Sequence, residues 1–99
     1  MTIVFFSNFL NHHQVHVADE LYQLTNGKYI FVEVMEMPEW LKNSGYTDLS
    51  TRPYVLQGWR NNVSRQQALK LALEADVALF SGAEVFEYEK YRVLKTNKL

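Results

Sequence analysis

Residues 2–14 constrain the fold of this chain more than any other segment. Residues 2–6 form a continuous strand-forming run, which ends at the polar residues Ser7-Asn8. Such a run predicts a strand buried on both faces, as in a parallel sheet. Asn11, with Gln14 three residues later, has the spacing of a helix-capping pair, which predicts a helix from about His12. Ligands of open α/β sheets bind beyond the carboxyl ends of the strands, so the loop 8–13 is the first candidate site.

The rest of the chain alternates between helical and strand patterns. The predicted elements are a helix 12–25 closed by Asn26-Gly27, a strand 29–35, an irregular segment 36–51 with a helical turn at Pro38, a strand 54–57, a helix 64–75 capped by Ser64 with Gln67, a strand 76–81 and a helix 84–96. This order predicts an α/β fold. We expect one partial Rossmann-like, three-layer domain over residues 1–99, with about three helices and four mostly parallel strands in the order 3-2-1-4.

Composition narrows the class of protein. Ten Lys and Arg residues balance eleven Asp and Glu, giving a net charge of -1 without a long block of one sign. That balance lacks the basic surface of a nucleic-acid-binding protein, so no nucleic-acid partner is expected. Cysteine is absent, which excludes disulfides and thiolate metal sites. No apolar stretch approaches the roughly 18–20 residues that span a bilayer, and we expect a cytoplasmic protein.

Three histidines lie around the predicted start of the first helix. His12, His13 and His16 have three- and four-residue spacings that suit a metal, but no Glu-x-x-His frame accompanies them. We therefore expect no metal, and the histidines either pack, are solvated or face a ligand. Neither G-x-G-x-x-G nor a P-loop follows a strand, so no cofactor is expected. The turn Ser81-Gly82-Ala83 is the one strand end where backbone can approach a ligand closely, although a plain strand-to-helix turn has the same pattern.

Four aromatic residues surround the irregular middle of the chain: Trp40, Tyr46, Tyr54 and Trp59. They either stack on a sugar or lipid, or cover the edge of the core. The second interpretation is the more common one for aromatic residues in such loops.

The order of these motifs resembles a known family. The opening Ile3-Val4-Phe5-Phe6-Ser7-Asn8-Phe9-Leu10-Asn11-His12-His13-Gln14 is similar to the start of bacterial glycosyltransferases with the GT-B fold of the family 4 kind. The segment 72–82, with its Ala75-Asp76-Val77 run and small-residue turn, resembles their helix-to-strand segment. The resemblance implies the first part of an acceptor-binding domain in cell-surface polysaccharide synthesis, whose loop 8–13 lines an interdomain cleft.

The same resemblance implies partners and a candidate site. The partners are a sugar or lipid-linked sugar acceptor and a C-terminal donor domain, whose paired glutamates are missing from these residues. The chain is therefore expected not to be catalytic alone, and no catalytic residue is assigned. The candidate acceptor-binding residues are Asn8, Asn11, His12, His13, Ser81 and Gly82.

Two alternatives remain open at the level of sequence. One is a free-standing flavodoxin-like or receiver-like binding module, which is disfavoured because no acidic pair follows the first strand and no Asp ends the second or third. The other is a degenerate fragment without a ligand. In either case the strand order places Val77–Phe80 at a sheet edge, and an apolar edge strand predicts self-association.

Overall fold

The computed structural model describes residues 1–44 and 49–96, which form an α/β sandwich around one parallel sheet. The strands are β1 (Ile3–Ser7), β2 (Tyr29–Glu33), β3 (Val55–Gln57) and β4 (Val77–Phe80). They are all parallel in the order β3-β2-β1-β4, with Phe5 paired to both Phe31 and Leu79. The predicted fold class and strand order are therefore confirmed.

The helices of the described residues lie on both faces of this sheet. They are α1 (Val15–Leu24), the short α2 (Glu39–Asn43), α3 (Asn62–Glu74) and α4 (Phe86–Thr96), the last preceded by a 3-10 turn at Ala83–Val85. The helical turn expected after Pro38 is α2. Gly45 and Tyr46, in the irregular segment 36–51, lie outside the described residues, as do Asn97–Leu99.

Alternation along each strand divides the core into two halves. One half contains Val4, Phe6 and Val32, which pack against small residues of α3, including Ala68 and Ala72, and against Tyr88 of α4. The other half contains Phe31 and Tyr29 beneath Val15 and Ala18 of α1. Successive side chains of a strand point to opposite faces, so the two central strands, β1 and β2, are buried on both sides, as their continuous apolar runs predict.

Two predicted helix starts are wrong by a few residues. Asn11 does cap, because its side-chain oxygen accepts hydrogen bonds from the backbone N–H groups of His13 and Gln14 at 2.9 and 3.2 Å. Residues 12–14 nevertheless form a turn, and α1 begins at Val15. At α3 the N-cap is Asn61, whose side chain accepts from the Ser64 N–H at 2.8 Å.

The middle aromatic residues divide between core and surface. Tyr54 is buried against Tyr22 and Tyr29, with ring centroids 5.4 Å apart in each pair. Trp40 on α2 is 67% exposed. Tyr54 therefore belongs to the core, whereas Trp40 does not cover it. Within the described part of the chain, no helix combines the length and the apolar character that crossing a bilayer requires.

Candidate functional site

The carboxyl ends of the four parallel strands meet at one edge of the sheet. This carboxyl edge carries Asn8 after β1, Glu33 at the end of β2, Gly58 after β3 and the turn Ser81-Gly82 after β4. Parallel strands place these ends side by side. The crevice above such an edge is where open α/β sheets bind ligands, and it is the candidate site here.

Glu33 is the buried acidic group of this edge. Its side chain, in a residue only 4% exposed, accepts hydrogen bonds from the Leu10 N–H at 3.2 Å and from the Gln57 side-chain amide at 3.3 Å. A buried carboxyl group is costly unless it is hydrogen-bonded, and these donors offset part of that cost. Glu33 thus ties the loop after β1 and the end of β3 to β2.

Sequence reasoning did not select Glu33, although a signal was present. It is the only charged residue inside the apolar stretch 29–35, and an acid in such a stretch needs donors from elsewhere in the fold. The pattern does not reveal those donors, because Leu10 and Gln57 lie 23 and 24 residues away along the chain.

The Asn8 side chain, after β1, lies close to the backbone of Gly82, after β4. Gly82 has a φ of 98°, and a Cβ placed there would lie 2.9 Å from Oδ1 of Asn8. That φ and that approach both favour glycine. The Asn8 Oδ1 atom is itself buried and has no hydrogen-bond partner among the described residues. The structure therefore brings together two of the predicted site residues, and it leaves one polar atom between them unsatisfied.

The other predicted residues have different surroundings. Asn11 uses its side-chain oxygen to cap the turn before α1, as described above. His12 and His13 are exposed on that turn, with their ring centroids 4.0 Å apart. His13 also lines a groove of about 200 Å³ with Phe5 and Val17, on the α1 side of the sheet. Ser81 is exposed, and its N–H donates to the Phe6 carbonyl at 3.0 Å.

No metal-binding group is formed by these histidines. Across residues 1–44 and 49–96, no three His, Cys, Asp or Glu side chains are grouped as metal ligands. All three histidines are exposed, at or just before the start of α1.

Gly58 allows a second close approach at the same edge. Its N–H donates to the Glu33 carbonyl at 3.0 Å, and a Cβ placed there would lie 3.3 Å from the Ala68 Cβ and 3.4 Å from the Tyr88 hydroxyl. A side chain at position 58 would press against α3.

Another groove lies at the opposite, amino end of the strands. It encloses about 560 Å³ between the end of α1, the start of β3 and α3, and Tyr22, Tyr54 and Lys70 are among its walls. The Tyr54 hydroxyl donates to Asp19 Oδ1 at 2.6 Å, and Arg52 pairs with the same carboxylate at 3.2 Å. Burial, followed by the hydrogen bond to Asp19, raises the pKa of Tyr54 above its usual range. This network fixes β3 to α1.

Comparisons of the chain with protein-family models, with curated proteins and with solved structures gave no match. The resemblance to glycosyltransferases therefore stays a prediction from the sequence.

Proposed function

We propose that this chain is the acceptor-binding portion of a glycosyltransferase and binds a sugar or lipid-linked sugar at its carboxyl edge. The observation that carries the proposal is the buried, unsatisfied oxygen of Asn8 close to the backbone of Gly82. A half-buried amide with an unsatisfied oxygen lies beside exposed backbone at a strand end. The opening motif that resembles the glycosyltransferases contributes Asn8 itself.

The chemistry of this edge suits a ligand that is rich in hydroxyl groups. The terminal torsion of an asparagine is soft, so the Asn8 amide can turn either its oxygen or its nitrogen toward the ligand. Each sugar hydroxyl both donates and accepts, and it matches such an amide. Glu33 acts as a positioning residue, because it holds the backbone of Leu10 and the side chain of Gln57 in place beside the edge.

The proposal assigns binding, not catalysis, to these 99 residues. Transfer of a sugar from a nucleotide requires stabilisation of the departing diphosphate. The groups that the resemblance assigns to that task belong to the donor domain. We expect no transfer from UDP-glucose or UDP-N-acetylglucosamine by the purified chain, and turnover above a blank reaction would contradict this assignment.

Binding is tested by amide NMR titration of the full chain with glucose and with N-acetylglucosamine. We expect saturable shifts at Asn8, Leu10 and Gly82, and weaker binding in Asn8→Ala. The matched control is Asn26→Gly, which also removes an asparagine amide but lies at the other end of the sheet, where its φ of 54° suits glycine. Shifts confined to the groove around Tyr54 would overturn the proposed site. The absence of shifts with either sugar would overturn the proposal and favour a fragment without a ligand.

A further inference from the structure

The two edges of the sheet differ in how their backbone groups are satisfied. At the β3 edge, the outward N–H of Val55 donates to the Arg52 carbonyl at 3.1 Å. The outward carbonyl of Gln57 accepts from the Arg60 N–H at 3.2 Å. Local turns thus occupy part of this edge, and β3 is only three residues long. Short edge strands with occupied groups resist pairing with another chain.

The β4 edge is open by comparison. Val77 and Ser81 donate inward, to the carbonyls of Thr2 and Phe6 at 3.1 and 3.0 Å. Backbone groups alternate along a strand, so the N–H and C=O groups of Ala78 and Phe80 point away from β1. Nothing within residues 1–44 and 49–96 bonds to these outward groups. The edge therefore offers donors and acceptors in the spacing that a further strand requires.

An apolar side chain is exposed at this edge on one face of the sheet, and α4 lies over the other face. On the α1 face Leu79 is 40% exposed. On the other face α4 packs over β1, with the Tyr88 ring 5.3 Å from that of Phe6. The side of α4 that meets α3 is marked by the ion pair of Glu87 with Arg65.

Phe86 and Val93 lie on another side of α4. Seven residues make nearly two helical turns, so these two share a face, well removed in angle from Glu87. They are 65% and 38% exposed. Because α3 covers the Glu87 side, we place Phe86 and Val93 on the flank that continues outward past β4.

No charge protects the strand from pairing. Val77–Phe80 is wholly apolar. The adjacent Asp76 is held by its own chain, since its Oδ2 accepts from the Thr2 N–H at 2.8 Å. Charged side chains and prolines are the usual means by which proteins protect an edge strand, and β4 has neither.

We infer that β4 is the pairing surface for a second copy of this chain, which adds its own β4 antiparallel about a two-fold axis through Leu79. In this register Ala78 lies opposite Phe80 of the other copy, and each pair exchanges both backbone hydrogen bonds. An uncharged strand places no like charges opposite one another. A two-fold arrangement also brings Phe86 and Val93 of both copies to the same face of the extended sheet. The inference is independent of sugar binding.

A single-cysteine variant tests the geometry directly, because the natural chain contains no cysteine. At a non-hydrogen-bonded antiparallel pair the Cα atoms are about 4.5 Å apart, which is within disulfide range. We expect Leu79→Cys to form a covalent dimer under mild oxidation. The matched control is Val63→Cys on α3, which is 69% exposed and is expected to remain monomeric on a non-reducing gel. Equal cross-linking of the two variants would overturn the register.

Sedimentation velocity of the full chain over a range of concentrations tests the association itself. Ala78→Pro removes an outward N–H and none of the bonds to β1, and Leu79→Lys adds a charge to the edge. We expect each to weaken dimerisation by about tenfold or more, equivalent to about 1.4 kcal/mol. Val63→Lys is the charge control and is expected to leave dimerisation unchanged.

Two outcomes would overturn the inference. One is a natural chain that stays monomeric at high concentration. The other is an association that survives Ala78→Pro but is lost in Phe86→Lys, which would place the interface on α4 alone. Circular dichroism of each variant separates loss of pairing from loss of fold.

Discussion

At the scale of single residues, the candidate site depends on the absence of a methyl group at position 82. The φ of 98° is rarely adopted by residues with a side chain, and a Cβ there would lie 2.9 Å from the Asn8 oxygen. We expect Gly82→Ala to lower the free energy of unfolding by about 1–3 kcal/mol, measured by urea denaturation. In an Asn8→Ala background the same change is expected to cost less, because the contact is gone and only the backbone strain remains. Equal costs in the two backgrounds would show that contact with Asn8 contributes nothing.

The start of α3 is also decided by single residues. The sequence predicts a cap at Ser64, with Gln67 three residues later. In the structure Asn61 is extended and its side chain accepts from the Ser64 N–H. We expect Asn61→Ala to reduce stability by about 0.5–2 kcal/mol, and Ser64→Ala to reduce it much less, in urea unfolding. A larger loss in Ser64→Ala would contradict this assignment of the cap.

At the scale of elements, a buried arginine joins α3 to α4. Arg92 is 1% exposed, and its guanidinium donates to the carbonyls of Ala72 and Ala75 at 3.0 Å each. These carbonyls lie at the end of α3, where helix acceptors lack partners and where the dipole favours a cation. We expect Arg92→Met to cost about 1–3 kcal/mol in unfolding free energy, because it leaves buried acceptors unsatisfied. The control Lys90→Met, exposed on the same helix, is expected to change stability little. Similar losses of stability in both variants would contradict the proposed link between α3 and α4.

The helices and strands were largely predictable from the sequence, whereas the residues at which helices begin and the hydrogen bonds that join the elements were not. Apolar runs such as 3–6 and 77–80 and the helical periodicity between them are local signals that locate the elements along the chain, and the predicted strand order is the observed one. Helix starts depend on which of several polar residues takes the extended cap conformation. The side-chain hydrogen bonds of Glu33 and Arg92 join segments that are far apart in sequence, and no local pattern predicts them. Of the predicted site residues, Asn8 and Gly82 meet because they end neighbouring strands.

At the scale of the whole molecule, three buried tyrosines make the free energy of unfolding vary with pH in the alkaline range. Burial raises the pKa of Tyr29 to about 12, and it also raises the pKa of Tyr54 and Tyr88. In the unfolded chain these hydroxyls ionise near the ordinary value of about 10. Above that pH the unfolded state binds fewer protons than the folded state, so the free energy of unfolding falls as pH rises through the folded pKa values. The stabilising contribution is fully present below about pH 10.

Tyr54→Phe isolates one part of this dependence. At neutral pH the variant loses the bond to Asp19 and is expected to be about 0.5–1.5 kcal/mol less stable than the natural chain. Between about pH 10 and 12 this difference is expected to shrink, because the natural chain loses the contribution of Tyr54 and the variant has no hydroxyl to ionise. Urea unfolding at several pH values from neutral upward measures both effects. A difference that stays constant over that window would mean that Tyr54 ionises equally readily in the folded and unfolded chains, and that the network of Asp19, Arg52 and Tyr54 does not retain the phenolic proton.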